Sequence, residues 1–516
     1  MALTRSSASP LLWTLKARPA FTPSIASTSI IIPKRAYATE TTTPPRKKRL
    51  VVLGTGWGGY AFLKNLSWST IRQFDVKVVS PTTAFSFTPL LAQASCATLD
   101  FRSAIEPIHS NRAIEHHHAW CDAVDFKAQK IELTSAFRPQ FKLSDPLLPP
   151  SSTGQTEAVG ERATYSLSYD HLVICVGAYN ATFGTKGVKE NALFLKDVAD
   201  ARAIRWRIMG LFEAANTKQH QYAEGGELSA EQEGELRKLL SFVIVGGGPT
   251  GSEFAAELHD LIKEDLSRLY PNLRPYPSIH LLDAGSTILS SFDKSLSDYA
   301  VKKFSRDGIE MRLNARISRV ERDAVVLEGE ERVGAGMVVW STGVTTSPLI
   351  DALRGVGKEE RSGKVLTNDT LNVLVNASSP AIGGSVLHPD KYPSSEDVGE
   401  LVPLPNVFAL GDCASQQSHP LPATAQVANQ KGTYLAHLFN TSNTSKPFEF
   451  ANKGSMASLG SRTALIDSPQ GKNSGALAWV LWRSAYTIMS MSWRNRFLVP
   501  ANWASNLLFG RDVGRF

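Results

Sequence analysis

The chain has 516 residues, 42% hydrophobic and 20% charged, which supports two to four packed domains and departs from disordered or collagen-like compositions. Its net charge of +7 sits at the ends: five basic residues and no acid precede Glu40, and residues 475–516 carry five arginines against Asp512. The body between leans acidic, which argues against nucleic acid as a partner, and four scattered cysteines without a C-x-x-C pair argue against a zinc ribbon or a thioredoxin-type centre.

Residues 1–37, rich in Ser, Thr and Ala with spaced Arg and Lys, have the composition of a mitochondrial transit peptide, with Arg35 placed for a matrix-processing cut after Tyr37. That segment is set aside from the fold. The apolar run Leu50–Leu53 then feeds Gly54-Thr55-Gly56-Trp57-Gly58-Gly59 and a helix-like stretch. In such a strand–turn–helix the first glycine permits the tight turn, the second lets backbone approach a pyrophosphate, and the third packs helix on strand. The free N–H groups and dipole of the helix then hold phosphate charge. The following strand, Val76–Val79, ends at Ser80, twenty-one residues after Gly59, where an acid normally binds a ribose hydroxyl; serine is a departure.

Three consecutive histidines, His116 to His118, alternate faces on a strand and have no Cys or acid at ligand spacing, so no metal site is expected. Residues 215–237 read as a polar, solvated insertion. Ser241–Val245 then runs into a second glycine turn, Gly246-Gly247-Gly248-Pro249-Thr250-Gly251, with helix expected from Ser252 to Leu269. The next strand, Ser278–Leu282, ends at Asp283, which should bind both ribose hydroxyls and repel a 2′-phosphate; no arginine follows it directly, so NADH is favoured over NADPH. Two such turns in one chain imply a flavin that receives electrons from a nicotinamide. Residues 377–404 read as a long surface loop, and Cys413 as a small buried hydrophobe.

The tail from Gly475 mixes Trp479, Trp482, Trp493 and Trp503 with aliphatic residues and arginines. Arg483, Arg494 and Arg496 break any spanning segment, so helices lying in a membrane interface are expected, with docking on the protein's own core or a dimer contact as alternatives.

Further segments carry a resemblance. Tyr169–Ala178 looks like the strand that returns to the flavin in proteins with two dinucleotide domains, Val338–Gly343 looks like its nicotinamide counterpart, and Pro405–Asp412 resembles the late motif whose aspartate binds the flavin ribityl chain. Together with Phe87–Leu91, Ile105–Ile108 and Leu421–Gln430, these resemble the mitochondrial type II (alternative) NADH:ubiquinone oxidoreductases, in particular the internal fungal type, from about Lys48 to the C-terminus.

The resemblance implies an α/β, glutathione-reductase-like fold of two Rossmann-like domains with a C-terminal amphipathic helical anchor. The FAD domain would occupy 48–205 and 370–474, the NADH domain 238–369, and the anchor 475–516. It assigns FAD, bound non-covalently, to Gly54, Thr55, Gly56, Trp57, Gly58, Gly59, Ser80, Thr88, Pro89, Gly177, Gly411, Asp412, Ala425, Gln426 and Val427. NADH goes to Gly246, Gly247, Gly248, Pro249, Thr250, Gly251, Glu253, Asp283, Thr342 and Gly343. Catalytic roles fall to Glu253, Gln426 and Gln430. Ubiquinone would meet Gln426 and Gln430, four residues apart on one helix face, with Tyr486 and Met489 as the lipid-side wall. Trp479, Trp482 and Trp493 are expected at headgroup depth. Deleting 475–516 should then release the protein from membranes, abolish quinone reduction and spare FAD reduction, the competing outcome being that exposed core unfolds the enzyme. The expected enzyme oxidises NADH, reduces ubiquinone without pumping protons, and works as a homodimer at the inner membrane. The missing calcium-loop motif favours the matrix side. The rival is a soluble or signalling flavoprotein of the apoptosis-inducing-factor type, which would have no reason to keep the Ala425–Gln430 segment and the aromatic tail.

Overall fold

The computed structural model describes residues 46–108, 113–136, 162–223, 227–377, 401–441, 446–460, 462–490 and 492–514. The transit-like leader lies outside the described residues, as does the expected loop over 378–400.

Two sheets organise the chain. The larger has ten strands, and its central five, Glu115–Asp125, Phe74–Ser80, Lys48–Leu53, His171–Ile174 and Leu401–Ala409, are parallel neighbours in that order. Their apolar runs, such as fully buried Leu50 to Leu53, suit strands covered on both faces. The smaller sheet has five strands, all parallel, in the order Leu193–Phe194, Met337–Trp340, Ser241–Val245, Ser278–Leu282 and Glu310–Arg312. A two-stranded ribbon, Tyr179–Asn180 with Val344–Thr345, links strands that leave the two sheets.

Three sequence expectations change. Strand Leu193–Phe194 belongs to the smaller sheet and Val365–Thr367 pairs beside Ala414–Gln416 in the larger, so the crossovers fall before 205 and before 370. The stretch 215–237 is mostly helical: Val198–Ala223 is one helix with Ala201, Ile204, Ile208, Leu211, Phe212 and Ala215 buried. Their spacing of three and four residues buries one stripe, and the polar composition only marks the solvated face. A capping box of Ser229 and Gln232 then starts the helix Ala230–Leu239. Finally, Leu401–Leu404 are not loop; they begin the strand Leu401–Ala409, which pairs with Asn372–Asn376.

After the second glycine turn the helix runs Pro249–Leu261, widens at Ile262–Leu266 and ends with Ser267–Leu269. The tail forms two helices, Ala476–Met489 and Trp493–Phe509. Their inner residues Ala478, Trp482, Tyr486, Val499 and Trp503 join the same apolar core as Phe87, Leu91, Phe254 and Leu258. The tail is therefore built into the body. No helix among the described residues is long and apolar enough to cross a membrane.

Candidate functional site

At the first turn, Gly54 has φ +98°, and a Cβ there would lie 2.4 Å from the Cys175 carbonyl oxygen. A Cβ on Gly59 would lie 2.2 Å from the Gly54 oxygen, so both positions require glycine. Gly56, by contrast, faces open space at the N-cap of the helix Trp57–Asn65, whose first turn carries no acid and no side-chain cap. Free N–H groups, an unopposed helix dipole and open space form a cradle that fits a pyrophosphate. Ser80 ends its strand beside the turn, where its hydroxyl lies 2.8 Å from the Thr55 hydroxyl. Trp57 Nε1 donates to Thr88 Oγ1 at 3.0 Å, placing Thr88 and Pro89 against the same turn.

The fold brings distant segments to this cradle. A Cβ on Gly432 would lie 2.3 Å from the Gly58 oxygen, so the helix Ala425–Thr441 packs tightly on the helix of the first turn. The same helix touches the Gly411 turn through Ala428, bringing Gly411, Asp412, Ala425, Gln426 and Val427 to the Gly54–Gly59 end of the sheet. Gly177, at φ +68°, follows the adjacent strand.

The second turn repeats the design. Gly246 has φ +111°, and a Cβ on Gly251 would lie 1.9 Å from the Gly246 oxygen, while Gly248 looks onto open space at the N-cap of Pro249–Leu261. Asp283 Oδ2 accepts from the Gly247 N–H at 2.5 Å and Oδ1 from the Gly285 N–H at 2.6 Å. The carboxylate thus stands at the strand end beside the turn. Thr342 adjoins Gly246, with a Cβ on Gly246 only 2.9 Å from the Thr342 Cβ, and Gly343 follows.

Glu253, in the second turn of that helix, accepts the Ser458 N–H at 3.0 Å. Burial lifts its carboxyl to about 8, the Ser458 bond opposes the rise, and Glu257 adds to it. Near neutral pH the group holds its proton. Tyr486 lies within the field of Glu253, and burial raises its hydroxyl well above the usual value.

Several expected roles are corrected. Tyr486 is only 9% exposed and stacks edge-on between Phe87 and Trp482, whereas Met489 is 47% exposed; the two do not share a lipid-side face. Trp482, at 1% exposed, is core rather than headgroup-facing. Gln426 donates to the Gly454 carbonyl and accepts from the Lys453 N–H, and Gln430 does both with Ala451. Both amides, lying on one helix face, hold the 451–454 backbone, so a quinone carbonyl would have to compete with those bonds.

Two lysines escaped the sequence reading. Lys196, between the sheets, feels Asp412 and Asp200, while burial pulls its amine down. Lys431 is buried over the Phe448 ring, and burial lowers it to about 8. Neither carries a local signal, because Asp197 follows Lys196 and Asn429 and Gln430 precede Lys431, so each reads as a solvated charge. Cys413 is buried, and burial pushes its thiol up to about 11, which leaves it a poor nucleophile. His117 bonds Tyr165 and His118 bonds the Pro81 carbonyl. Among the described residues no cluster of three or more His, Cys, Asp or Glu is arranged for a metal.

Residues 48–379 match the Pyridine nucleotide-disulphide oxidoreductase family, and residues 452–512 match the NDH2 C-terminal domain. The chain is 36% identical over 475 residues to a probable NADH dehydrogenase of Dictyostelium discoideum, covering 91% of each. It is 35% identical over 553 residues to the mitochondrial external alternative NAD(P)H-ubiquinone oxidoreductase B1 of Arabidopsis thaliana, covering 90% of this chain and 91% of that one. The solved NDH2 of Plasmodium falciparum in complex with NADH superposes with a TM-score of 0.74 at 21% identity, covering 91% of this chain and all of that one. With its two glycine turns and its docked C-terminal helices, the chain belongs to the pyridine nucleotide-disulphide oxidoreductases, and among them to the type II NADH dehydrogenase family.

Proposed function

We propose that this protein oxidises NADH and reduces ubiquinone through one non-covalent FAD, at the surface of a mitochondrial membrane. The observation that carries the reading is the pair of glycine turns, each opening a helix N-terminus onto free space at the C-terminal end of its parallel sheet. FAD, held by Gly54–Gly59, Thr88, Gly411, Asp412 and the start of the Ala425–Thr441 helix, would take a hydride from NADH and pass two electrons to the quinone.

The chain's own residues position and protonate. Asp283 offers the ribose hydroxyls an acceptor and repels an added phosphate. Glu253, which burial keeps protonated near pH 7, would supply a proton to the reduced quinone. A packed aromatic series joins the first turn to the tail: Trp57 lies 5.2 Å from Phe87, Phe87 lies 6.0 Å from Tyr486, and Tyr486 lies 4.7 Å from Trp482, all between ring centroids. It ends at the tail helices, whose outer residues Leu477, Ile488, Trp493, Phe497, Leu507, Leu508 and Phe509 are exposed. Such a surface suits the interface of a lipid bilayer, with Arg494 and Arg496 beside it for anionic headgroups.

The finer placement is an internal-type enzyme on the matrix face of the inner membrane, acting as a homodimer without proton pumping. The transit-like leader, the missing calcium motif and the resemblance support it. The test is NADH oxidation by the purified protein in sealed liposomes, with ubiquinone against oxygen alone. A quinone-dependent rate with no change in lumenal pH is expected; a rate indifferent to quinone refutes the reading.

A further inference from the structure

Phe183 occupies a backbone position that disfavours it. The Thr185 N–H bonds the Thr182 carbonyl at 2.9 Å, closing a turn whose two central residues, Phe183 at φ +51° and Gly184 at φ +72°, both have positive φ. Turns of that pattern prefer Asn-Gly or Gly-Gly, because a side chain other than these short or polar ones is strained there. Burial gives no compensation, for the ring is 70% exposed. A bulky residue kept in a strained, exposed position points to a role outside the fold's own packing.

The ring sits at the second nucleotide crevice. A Cβ on Gly343 would lie 2.4 Å from Phe183 Cζ, so the ring rests on a glycine that cannot carry a side chain without displacing it. Gly343 continues Ser341 and Thr342, which touch the second turn at Gly251 and Gly246. The Ala181 N–H bonds the Gly343 carbonyl and Trp340 Nε1 donates to the Ala181 carbonyl at 2.9 Å, clamping the segment to the C-terminal end of its strand. The Tyr179–Asn180 strand follows the His171–Ile174 strand of the larger sheet along the chain, so the turn lies where the chain passes from the flavin sheet towards the nicotinamide sheet.

We infer that Phe183 is the flavin-side wall of the NADH crevice, an exposed ring that packs on the nicotinamide end of the dinucleotide beside Gly343. The inference rests on NADH being the electron donor. A ring at that end adds apolar contact to a planar ligand and keeps water from the hydride path.

Phe183→Asn suits the turn and removes the ring. Its NADH KM should rise roughly three- to tenfold, the change expected for one lost aromatic contact. The ubiquinone KM and the inhibition constant of ADP-ribose, which lacks nicotinamide, should stay at the parent's values. The thermal midpoint should hold or rise, because the turn is relieved. Phe183→Tyr should keep the parent's NADH constant. An unchanged NADH KM in Phe183→Asn, an equal weakening of ADP-ribose, or loss of bound FAD in that variant would each overturn the inference. A parent enzyme whose flavin NADH does not reduce would overturn the donor reading instead, and this inference with it.

Discussion

Glu253 and Ser458 lie 205 residues apart, yet the carboxylate of one accepts the backbone N–H of the other at 3.0 Å. That bond ties the helix of the second nucleotide turn to a separate three-stranded antiparallel sheet, Ser455–Ser458, Ala464–Ser468 and Gly471–Gly475, on which the first tail helix rests. Because burial raises Glu253 from the usual 4.5 to about 8, the folded chain holds a proton that the unfolded chain releases above pH 4.5. Its stabilising contribution is full below pH 4.5 and is lost as pH rises towards 8, on the order of 2–4 kcal/mol. Glu253→Gln keeps an acceptor for Ser458 and carries no charge. Thermal midpoints between pH 5 and 8.5 should therefore fall less steeply in the variant than in the parent. Parallel curves would show that Glu253 is not buried neutral.

Asp283→Ala removes the acceptor expected for the ribose hydroxyls. NADH binding should weaken by about 1–3 kcal/mol, the usual cost of losing bonds to a charged acceptor. Discrimination against NADPH should relax because a negative charge beside the ribose position has gone. The two N–H groups of Gly247 and Gly285 also lose their partner, so the turn itself should loosen. Flavin reduction measured with both dinucleotides decides it; an unchanged ratio of efficiencies removes Asp283 from the ribose site.

Arg511 fixes the end of the tail. Its guanidinium bonds Asp265 at 2.6 Å, Glu264 at 2.9 Å and the Thr98 hydroxyl at 3.1 Å, and Thr98 in turn donates to buried Glu257 at 2.8 Å. The widened helical turn at Ile262–Leu266 is what presents Glu264 and Asp265. Arg511→Met should cost about 1–3 kcal/mol, because half-buried Asp265 and buried Glu257 lose a nearby cation while exposed Glu264 is screened by water. Urea unfolding reads the loss directly, and a change under 1 kcal/mol would mean that the tail end contributes little.

Deleting residues 475–516 is not the clean separation that the sequence suggested. Trp482, Tyr486, Val499 and Trp503 are core, and Trp503 Nε1 bonds Gln93 Oε1 at 3.0 Å, so deletion strips the body of packed partners. Substituting only the outer face, with Ile488, Trp493, Phe497 and Leu508 changed to Ser, tests the anchor without that damage. Liposome flotation should be lost, while bound FAD and its reduction by NADH persist. Turnover with long-chain ubiquinone should fall far more than turnover with a short-chain analogue. A variant that still floats with liposomes would refute the lipid-facing role.

Much of the candidate site was legible because it depends on local chemistry. The glycines at 54, 59, 246 and 251 occupy positions where a Cβ would strike backbone, and that requirement shows as a spacing in the chain. Gln426 and Gln430 were legible as a helix-face pair but not in their partners, because the irregular 451–454 segment that engages them returns to the helix only in the folded chain. Residues 215–237 read rightly as solvated, with only Ala215 and Leu236 buried among those described, but composition reports the face that water sees and not the helices that carry it.

By itself, the sequence determined the two strand–turn–helix units, their order, the acid at 283 and the apolar tail, since each is written in contiguous residues with a short-range steric or electrostatic reason. Only the tertiary structure decided which tail residues face inward, that burial raises the Glu253 carboxyl, and that Phe183 rests on Gly343. Those outcomes depend on which surfaces meet across hundreds of residues, and burial, the quantity that sets both packing and ionisation, does not exist until they do.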